Sequence, residues 1–226
     1  FQRSVGESSD IIQKEVYEFE DRNGEILCLR PEGTAGLVRA LITNGLMNDE
    51  IKKFFYLGPM FRYERPQKGR KRQFFQAGAE LIGEESTKSD VEIILLAKTI
   101  LEKLNVKYTL EINYLGKEDS LNSYRSYLRK YLQNFKDELS EKVYSRLQRN
   151  PIRAIDSKDS NIQEIFKKAS DISDFLKKEE KESFERTIKS LKDLKINFNL
   201  NKNLVRGLDY YTCLLYTSDA ADDSLR

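Results

Sequence analysis

The sequence predicts a fold that mixes strands and helices, and three observations predict it. Two separate runs alternate apolar and polar residues on either side of turn-forming residues, the pattern of a β-hairpin. Between them, apolar residues recur at helical spacing. A later stretch, from about Lys117 to Lys195, is dense in Lys, Glu, Ser and Tyr, with helical periodicity and little strand signal.

The elements follow in order. Val16-Tyr17-Glu18-Phe19 alternates, Asp21-Arg22-Asn23-Gly24 supplies a turn, and Ile26 to Leu29 resumes the run, which predicts a first hairpin. Pro31-Glu32-Gly33-Thr34 then breaks the strand, and Leu37, Val38, Leu41 and Ile42 predict a short amphipathic helix up to Gly45. A longer hairpin follows: Phe54 to Tyr63 is rich in aromatics, Pro66 to Gly69 is a turn, and Gln73 to Ile82 is apolar again. Ser89-Asp90-Val91-Glu92 has the form of a capping box that opens a helix with Val91, Ile94, Leu95, Ala97, Leu101 and Leu104 on one face. Tyr108 to Tyr114 alternates as a strand, and Asn197 to Leu204 returns to short apolar alternation. The expected organisation is a core over 1–116, a helical insertion over 117–195, a return to the core over 196–212, and a tail over 213–226.

Composition bounds the chemistry. The 226 residues, 39% apolar and 11% aromatic, suffice for one large domain or two modest ones with a buried core. Charged residues nearly cancel, 39 basic against 37 acidic, so any basic site must be local. No apolar run is long enough to span a bilayer, so no membrane segment is expected. The start at Phe1 has no initiator Met and no signal-peptide layout, and is read as an internal cut. Cys28 and Cys213 stand too far apart in sequence for metal-ligand spacing and make no disulfide framework, which fits a reducing cytoplasm. With no histidine in the chain, a His general base, a catalytic triad and a His-ligated metal are all excluded.

Four stretches could carry chemistry. At Leu29-Arg30-Pro31-Glu32-Gly33-Thr34 a strand ends in a loop that projects a carboxylate and a hydroxyl; these either pair with a ligand ammonium or simply serve the start of the helix. Phe61 to Phe74 packs six cations around a hairpin turn. Arg62 and Glu64, two apart on a strand, should face one side, where they would meet a phosphate and a base or amine, with Phe74 offering an aromatic face. The alternative is a solvated tip that guards against edge aggregation. In Gln73 to Glu80, Gln76, Gly78 and Glu80 share a face, either as a polar pocket with room for a small ligand beside the glycine or as an open sheet face in water. In Arg206-Gly207-Leu208-Asp209-Tyr210-Tyr211, a tyrosine hydroxyl and an arginine either meet a polar ligand or belong to the core.

Taken in this order, these stretches resemble the histidyl-tRNA synthetase family from about Ser4 to Thr212. Leu29 to Thr34 looks like the family's Leu-Arg-Pro-Glu-Gly-Thr segment, Gly58 to Glu80 like class II motif 2, and Leu204 to Tyr211 like the histidine signature. Asn150-Pro151-Ile152-Arg153 through Asp156-Ser157-Lys158 resembles the family's insertion domain. The resemblance implies an α+β class II core, an antiparallel sheet flanked by helices, with the insertion reaching toward the tRNA acceptor stem. It further implies that Glu32 and Thr34 bind the histidine α-amino group, and that Arg62 bridges the substrate carboxylate and the ATP α-phosphate. Glu64, Arg70 and Phe74 would handle ATP. Gln76 and Glu80 would line the histidine pocket, Tyr210 and Tyr211 would close over the imidazole, and Arg206 would be the second α-phosphate cation. Arg62 and Arg206 are thus the expected catalytic pair, with Mg²⁺ beside ATP and no protein-held metal. Partners implied are histidine, ATP, tRNA(His) and a second subunit in a homodimer.

That chemistry suits a chain without histidine. A carboxylate is already an anionic nucleophile at neutral pH, so activation needs positioning and charge stabilisation rather than a general base. Motif 3, a later glycine-rich histidine-site segment and an anticodon-binding domain are not found, so the chain alone is expected to be inactive or nearly so. From Cys213 onward the sequence resembles a translated sequencing adaptor appended to an interrupted reading frame; residues 213–226 are read as a non-native tail and set aside from the fold reasoning. A rival within the same resemblance is the histidine-binding regulatory subunit of ATP phosphoribosyltransferase.

Overall fold

The computed structural model describes residues 15–48, 50–65, 71–155, 157, 159–205 and 212–220. The chain forms two compact units, divided between Ser89 and Asp90.

In the first unit, β1 (Tyr17–Glu20) pairs antiparallel with β2 (Ile26–Leu29), Tyr17 opposite Leu29. The turn is held by Asp21, whose Oδ1 accepts from the backbone N–H of Asn23 at 2.8 Å and of Glu25 at 2.9 Å. Gly24, at φ +81°, takes the left-handed position that a side chain would resist. Helix α1 (Thr34–Thr43) follows, and Gly45 at φ +63° ends it as the spacing predicts. The long hairpin is β3 (Lys52–Phe61) against β4 (Gln73–Ile82), in register from Lys52 opposite Ile82 to Phe61 opposite Gln73. One face of it is half-buried to buried through Phe54, Tyr56, Gly58 and Met60, while Phe55, Leu57 and Phe75 on the other are exposed.

Helix α2 (Thr87–Lys103) leads into the second unit, and β5 (Tyr108–Tyr114) follows it. Four helices come next, α3 (Glu118–Gln133), α4 (Glu141–Arg149), α5 (Ser160–Lys167) and α6 (Lys178–Asp193), with short 3-10 turns between them. β6 (Asn199–Leu200) pairs parallel with β5, and β7 (Leu214–Ala220) pairs antiparallel with it along all seven residues of β5. Two apolar clusters hold this unit. One gathers Leu121, Leu128 and Leu132 of α3 with Leu147, Ile162 and Ile165. The other packs Val91 and Ile94 of α2 against Leu110 and Ile112 of β5 and Leu191 of α6. A single carboxylate links two helix starts: Glu180, 3% exposed, accepts from Ser120 Oγ at 2.5 Å and from the backbone N–H groups of Lys117 at 2.5 Å and Lys177 at 2.6 Å. Its ionised form is favoured by those donors, which hold its pKa below the usual glutamate value despite burial.

The fold is α+β, with two departures from expectation. The described strands lie in three small sheets rather than one, and the third contains a parallel pair. Helix α2 starts before the expected capping box, because Ser86 Oγ already accepts from the Ser89 N–H at 3.3 Å and Ser89 Oγ donates to Glu84 at 2.9 Å. The two compact units divide at 89/90, and in the second α2 and β5 share a core with α6. The stretch from Cys213 onward, read as a non-native tail, holds β7. β5 buries Leu110, Ile112 and Tyr114, so its backbone groups need partners on both sides, and Leu214–Ala220 supplies them along one edge while burying Leu215. No helix among the described residues is long and apolar enough to cross a membrane.

Candidate functional site

The first unit gathers polar groups where β2 runs into α1. Glu32 is only 7% exposed, and its carboxylate accepts from the backbone N–H of Thr34 at 2.7 Å and of Ala35 at 2.9 Å. Helix starts leave such donors unpaired and carry partial positive charge, so the Pro31-Glu32-Gly33-Thr34 turn places a carboxylate where it is best held. Glu32 is thus the group that caps α1, and it is buried rather than solvated. The Thr34 hydroxyl does not cap α1 and donates instead to Glu80 Oε1 of β4 at 2.7 Å.

Glu80 is half-buried on β4, and burial raises its pKa above the usual value, with the nearby Glu32 charge adding to the effect. Hydrogen bonds from Thr34 and from the Tyr56 hydroxyl oppose that rise. The Tyr56 ring finds its place because of two glycines. It sits directly opposite Gly78 in the hairpin register, and a Cβ at Gly78 or at Gly33 would overlap its ring. The room expected beside Gly78 for a ligand is therefore occupied by a tyrosine of the neighbouring strand. Gln76 shares the face of Gly78 and Glu80, and among the described residues its Oε1 is buried without a hydrogen-bond partner. A ligand N–H would satisfy that acceptor.

Arg62 ties the long hairpin to the same loop. Its Nε donates to the Pro31 carbonyl at 2.9 Å, one residue before Glu32, and its guanidinium carbon lies 5.1 Å from the centre of the Phe74 ring. Phe74 is thus engaged by a cation. The expectation that Arg62 and Glu64 share a strand face is corrected, because β3 ends at Phe61. The Arg62 N–H still meets Arg72 O at 2.9 Å, but the Tyr63 N–H turns to Glu15 O at 2.8 Å, which ends the alternation. Glu64 offers its carbonyl to Arg72 Nε at 3.2 Å.

Glu32, Thr34 and Glu80 therefore converge through hydrogen bonds, with Arg62 fastened one residue from Glu32, and Phe74, Gln76 and Glu80 share a strand face. A cavity of about 710 Å³ adjoins them, bordered by Arg30, Glu32, Gly33, Tyr56 and Gly58, but Gln76, Glu80 and Arg62 do not line it. Arg70, Arg206, Tyr210 and Tyr211 lie outside the described residues. Tyr56 is the residue that sequence reasoning missed; its register partner Gly78 was the signal that could have found it.

A family model for histidyl-tRNA synthetase matches residues 1–222. The chain belongs to the histidyl-tRNA synthetase family. The match runs through the segment after Cys213 as well as the four motifs. The chain is 47% identical over 219 residues to a histidine–tRNA ligase of Francisella tularensis subsp. novicida, covering 96% of this chain and 52% of that protein. It is 46% identical over 214 residues to one of Acaryochloris marina, covering 94% and 50%. The chain thus spans about half the length of the curated histidyl-tRNA synthetase relatives it matches. Among solved structures, an apo histidyl-tRNA synthetase of S. aureus superposes with a TM-score of 0.72 at 34% identity, over 90% of this chain and 48% of that one. This match places the fold with that family. A Bacillus halodurans protein described as an ATP phosphoribosyltransferase regulatory subunit/histidyl-tRNA synthetase shares the fold alone, with a TM-score of 0.63 at 20% identity over 98% of this chain and 61% of that one.

Proposed function

We propose that the chain is the part of a cytoplasmic histidine–tRNA ligase that binds histidine and ATP and forms histidyl-adenylate before transfer to tRNA(His). The observation that carries the reading is the cluster of Glu32, Thr34 and Glu80 beside an arginine fastened to Pro31. Two carboxylates and an unpartnered amide oxygen form an acceptor-rich site suited to a ligand that brings an ammonium and an imidazole N–H. In the reaction, a carboxylate oxygen of histidine bonds to the α-phosphorus, the bond from that phosphorus to the bridging oxygen of pyrophosphate breaks, and pyrophosphate leaves with the electron pair. Arg62 and Arg206 would offset the charge that builds on the phosphoryl oxygens, and Glu64, Arg70 and Phe74 would hold the nucleotide. Tyr210 and Tyr211 would close over the imidazole.

Magnesium would accompany ATP, because it is held mostly by substrate phosphates with one or two carboxylates rather than by a protein cage. Among the described residues no group of three or more candidate ligands stands ready to hold a metal. A homodimer is the expected assembly of the whole ligase. The chain by itself, at about half the length of its relatives, is expected to turn over slowly or not at all. Similarity to ligases at 47% identity favours this reading over a regulatory subunit.

Calorimetry tests the site. Wild type should bind histidine, and Glu32→Ala should weaken binding by about tenfold or more, the loss expected for one charge-assisted hydrogen bond. Absence of histidine binding by wild type would remove the proposal. Pyrophosphate exchange at a rate near that of a full-length ligase would overturn the expected inactivity.

A further inference from the structure

Beyond Phe61 the ladder between β3 and β4 stops, and one residue of the opposite arm takes its place. Arg72, immediately before β4, meets three successive residues of the departing chain. Its carbonyl accepts from the Arg62 N–H at 2.9 Å, its guanidinium carbon lies 4.4 Å from the centre of the Tyr63 ring, and its Nε donates to the Glu64 carbonyl at 3.2 Å. The ring beneath the guanidinium is held in turn. The Tyr63 N–H donates to Glu15 O at 2.8 Å, and Tyr17 of β1 meets the ring edge-on, with 5.4 Å between centres. A strand end without a ladder leaves its side chains free to turn to either face. A planar cation seated on an aromatic ring, with one N–H committed to the next carbonyl, removes that freedom. Solubility at a hairpin tip asks for no such arrangement, since an arginine extended into water serves it equally well.

Resting on the ATP-binding reading above, we propose that Arg72, seated on Tyr63, is a positioning residue for the nucleotide: it stands in for the strand ladder beyond Phe61 and so fixes where Arg62 and Glu64 present their side chains to ATP. Arg72 acts through these two neighbours of Tyr63. Arg62 is then held at both ends, by Arg72 at its backbone N–H and by the Pro31 carbonyl at its Nε. What position 72 uses is the shape of guanidinium as well as its charge, because lysine keeps the charge and loses the planar fork.

The test is ATP affinity, measured by calorimetry on Tyr63→Phe, Tyr63→Leu, Arg72→Lys and the double variant Tyr63→Leu/Arg72→Lys. Tyr63→Phe keeps the ring and should bind ATP as wild type does. Tyr63→Leu should weaken binding about two- to fivefold, the scale of one exposed contact between a cation and a ring. Arg72→Lys should weaken it at least as much, and the double variant no further than Arg72→Lys alone, because ring and cation act as one unit. The stack is read separately by NMR without ligand, from the Arg72 δ-methylene resonance, identified by its loss in Arg72→Lys. The ring should shift it upfield in wild type and in Tyr63→Phe, and it should return to its ordinary position in Tyr63→Leu. A resonance that stays put in Tyr63→Leu overturns the stack and the proposal with it. An unchanged ATP affinity in Tyr63→Leu or in Arg72→Lys overturns the positioning role, and so does an additive loss in the double variant. A wild type that binds no ATP overturns nucleotide positioning here and the nucleotide part of the function proposed above, while a resonance that moves as expected leaves the hold of Tyr63 on Arg72 standing.

Discussion

The two units reach order by different means. The second is built around two apolar clusters. In the first, the buried apolar side chains among the described residues are Pro31, Leu41 and Met60, and the most evident long-range ties are polar: Thr34 to Glu80, Arg62 to Pro31, and Arg30 Nε to Pro59 O at 2.8 Å. Each unit also contains a well-held glutamate, and the two are tuned oppositely. Glu180 is surrounded by donors and stays ionised easily; Glu80 is buried beside another carboxylate and ionises with more difficulty. The difference teaches that one unit uses a carboxylate to fasten structure, while the other holds a carboxylate whose ionisation costs stability.

The largest test of the comparison is Leu128→Ala. Leu128 is 0% exposed at the centre of the larger cluster, and its truncation should cost about 2–5 kcal/mol in urea denaturation. The counterpart Phe55→Ser, at a residue 85% exposed in the first unit, should stay within about 0.5 kcal/mol of wild type. A large loss from Phe55→Ser would mean that the first unit has an apolar core of its own.

Glu180→Ala comes next. It strands the Lys117 and Lys177 N–H groups and the Ser120 hydroxyl, at a cost of about 2–3 kcal/mol. The pH response follows from the sign of the shift. A lowered folded pKa stabilises above the unfolded glutamate pKa, and that contribution disappears as pH falls through the lower folded value. Wild type should therefore lose stability on acidification below about pH 4, and Glu180→Gln should lose less over that range. Melting temperature against pH for both chains checks it.

Glu80→Gln should behave in reverse. With a raised folded pKa, ionisation of Glu80 costs stability as pH climbs from the unfolded value through the folded one, so the amide should be no less stable than wild type at pH 7 and should abolish histidine binding. A destabilised variant at pH 7 would show that Glu80 fastens structure as Glu180 does.

The smallest effect is expected at Lys195, which follows α6 at φ +54°, a conformation that suits glycine. Lys195→Gly should raise stability by about 0.5–1 kcal/mol, read from the urea midpoint.

Both hairpins, α1 and the helical stretch were legible because turn residues and periodicity act locally. Asp21 and Gly24 hold their turn with groups a few residues away, and sequence spacing reports such contacts directly. The start of α2 was misread because Ser86 and Ser89 both offer hydroxyls, and only the third partner, Glu84, decides between them. β7 was not read as a strand because its stretch was set aside as an adaptor-like tail, and its pairing partner β5 lies about a hundred residues earlier in the chain. In the site, Glu32, Thr34, Arg62, Gln76 and Glu80 were named from their motifs. Tyr56 was not, since an aromatic on a strand reads as core until its glycine partner across the hairpin is known.

Glu180 has a consequence beyond anchoring. The backbone at Lys117 and at Lys177 meets at one carboxylate, so the stretch between them departs and returns at nearly the same point. Such an excursion can lengthen or shorten with little strain on its roots, because each doubling of a loop adds only about 0.6 kcal/mol of closure entropy. That excursion also carries Leu121, Leu128, Leu147 and Ile162 of the larger apolar cluster, so its length can change at its exposed turns while those side chains and the glutamate that clasps its two ends stay in place.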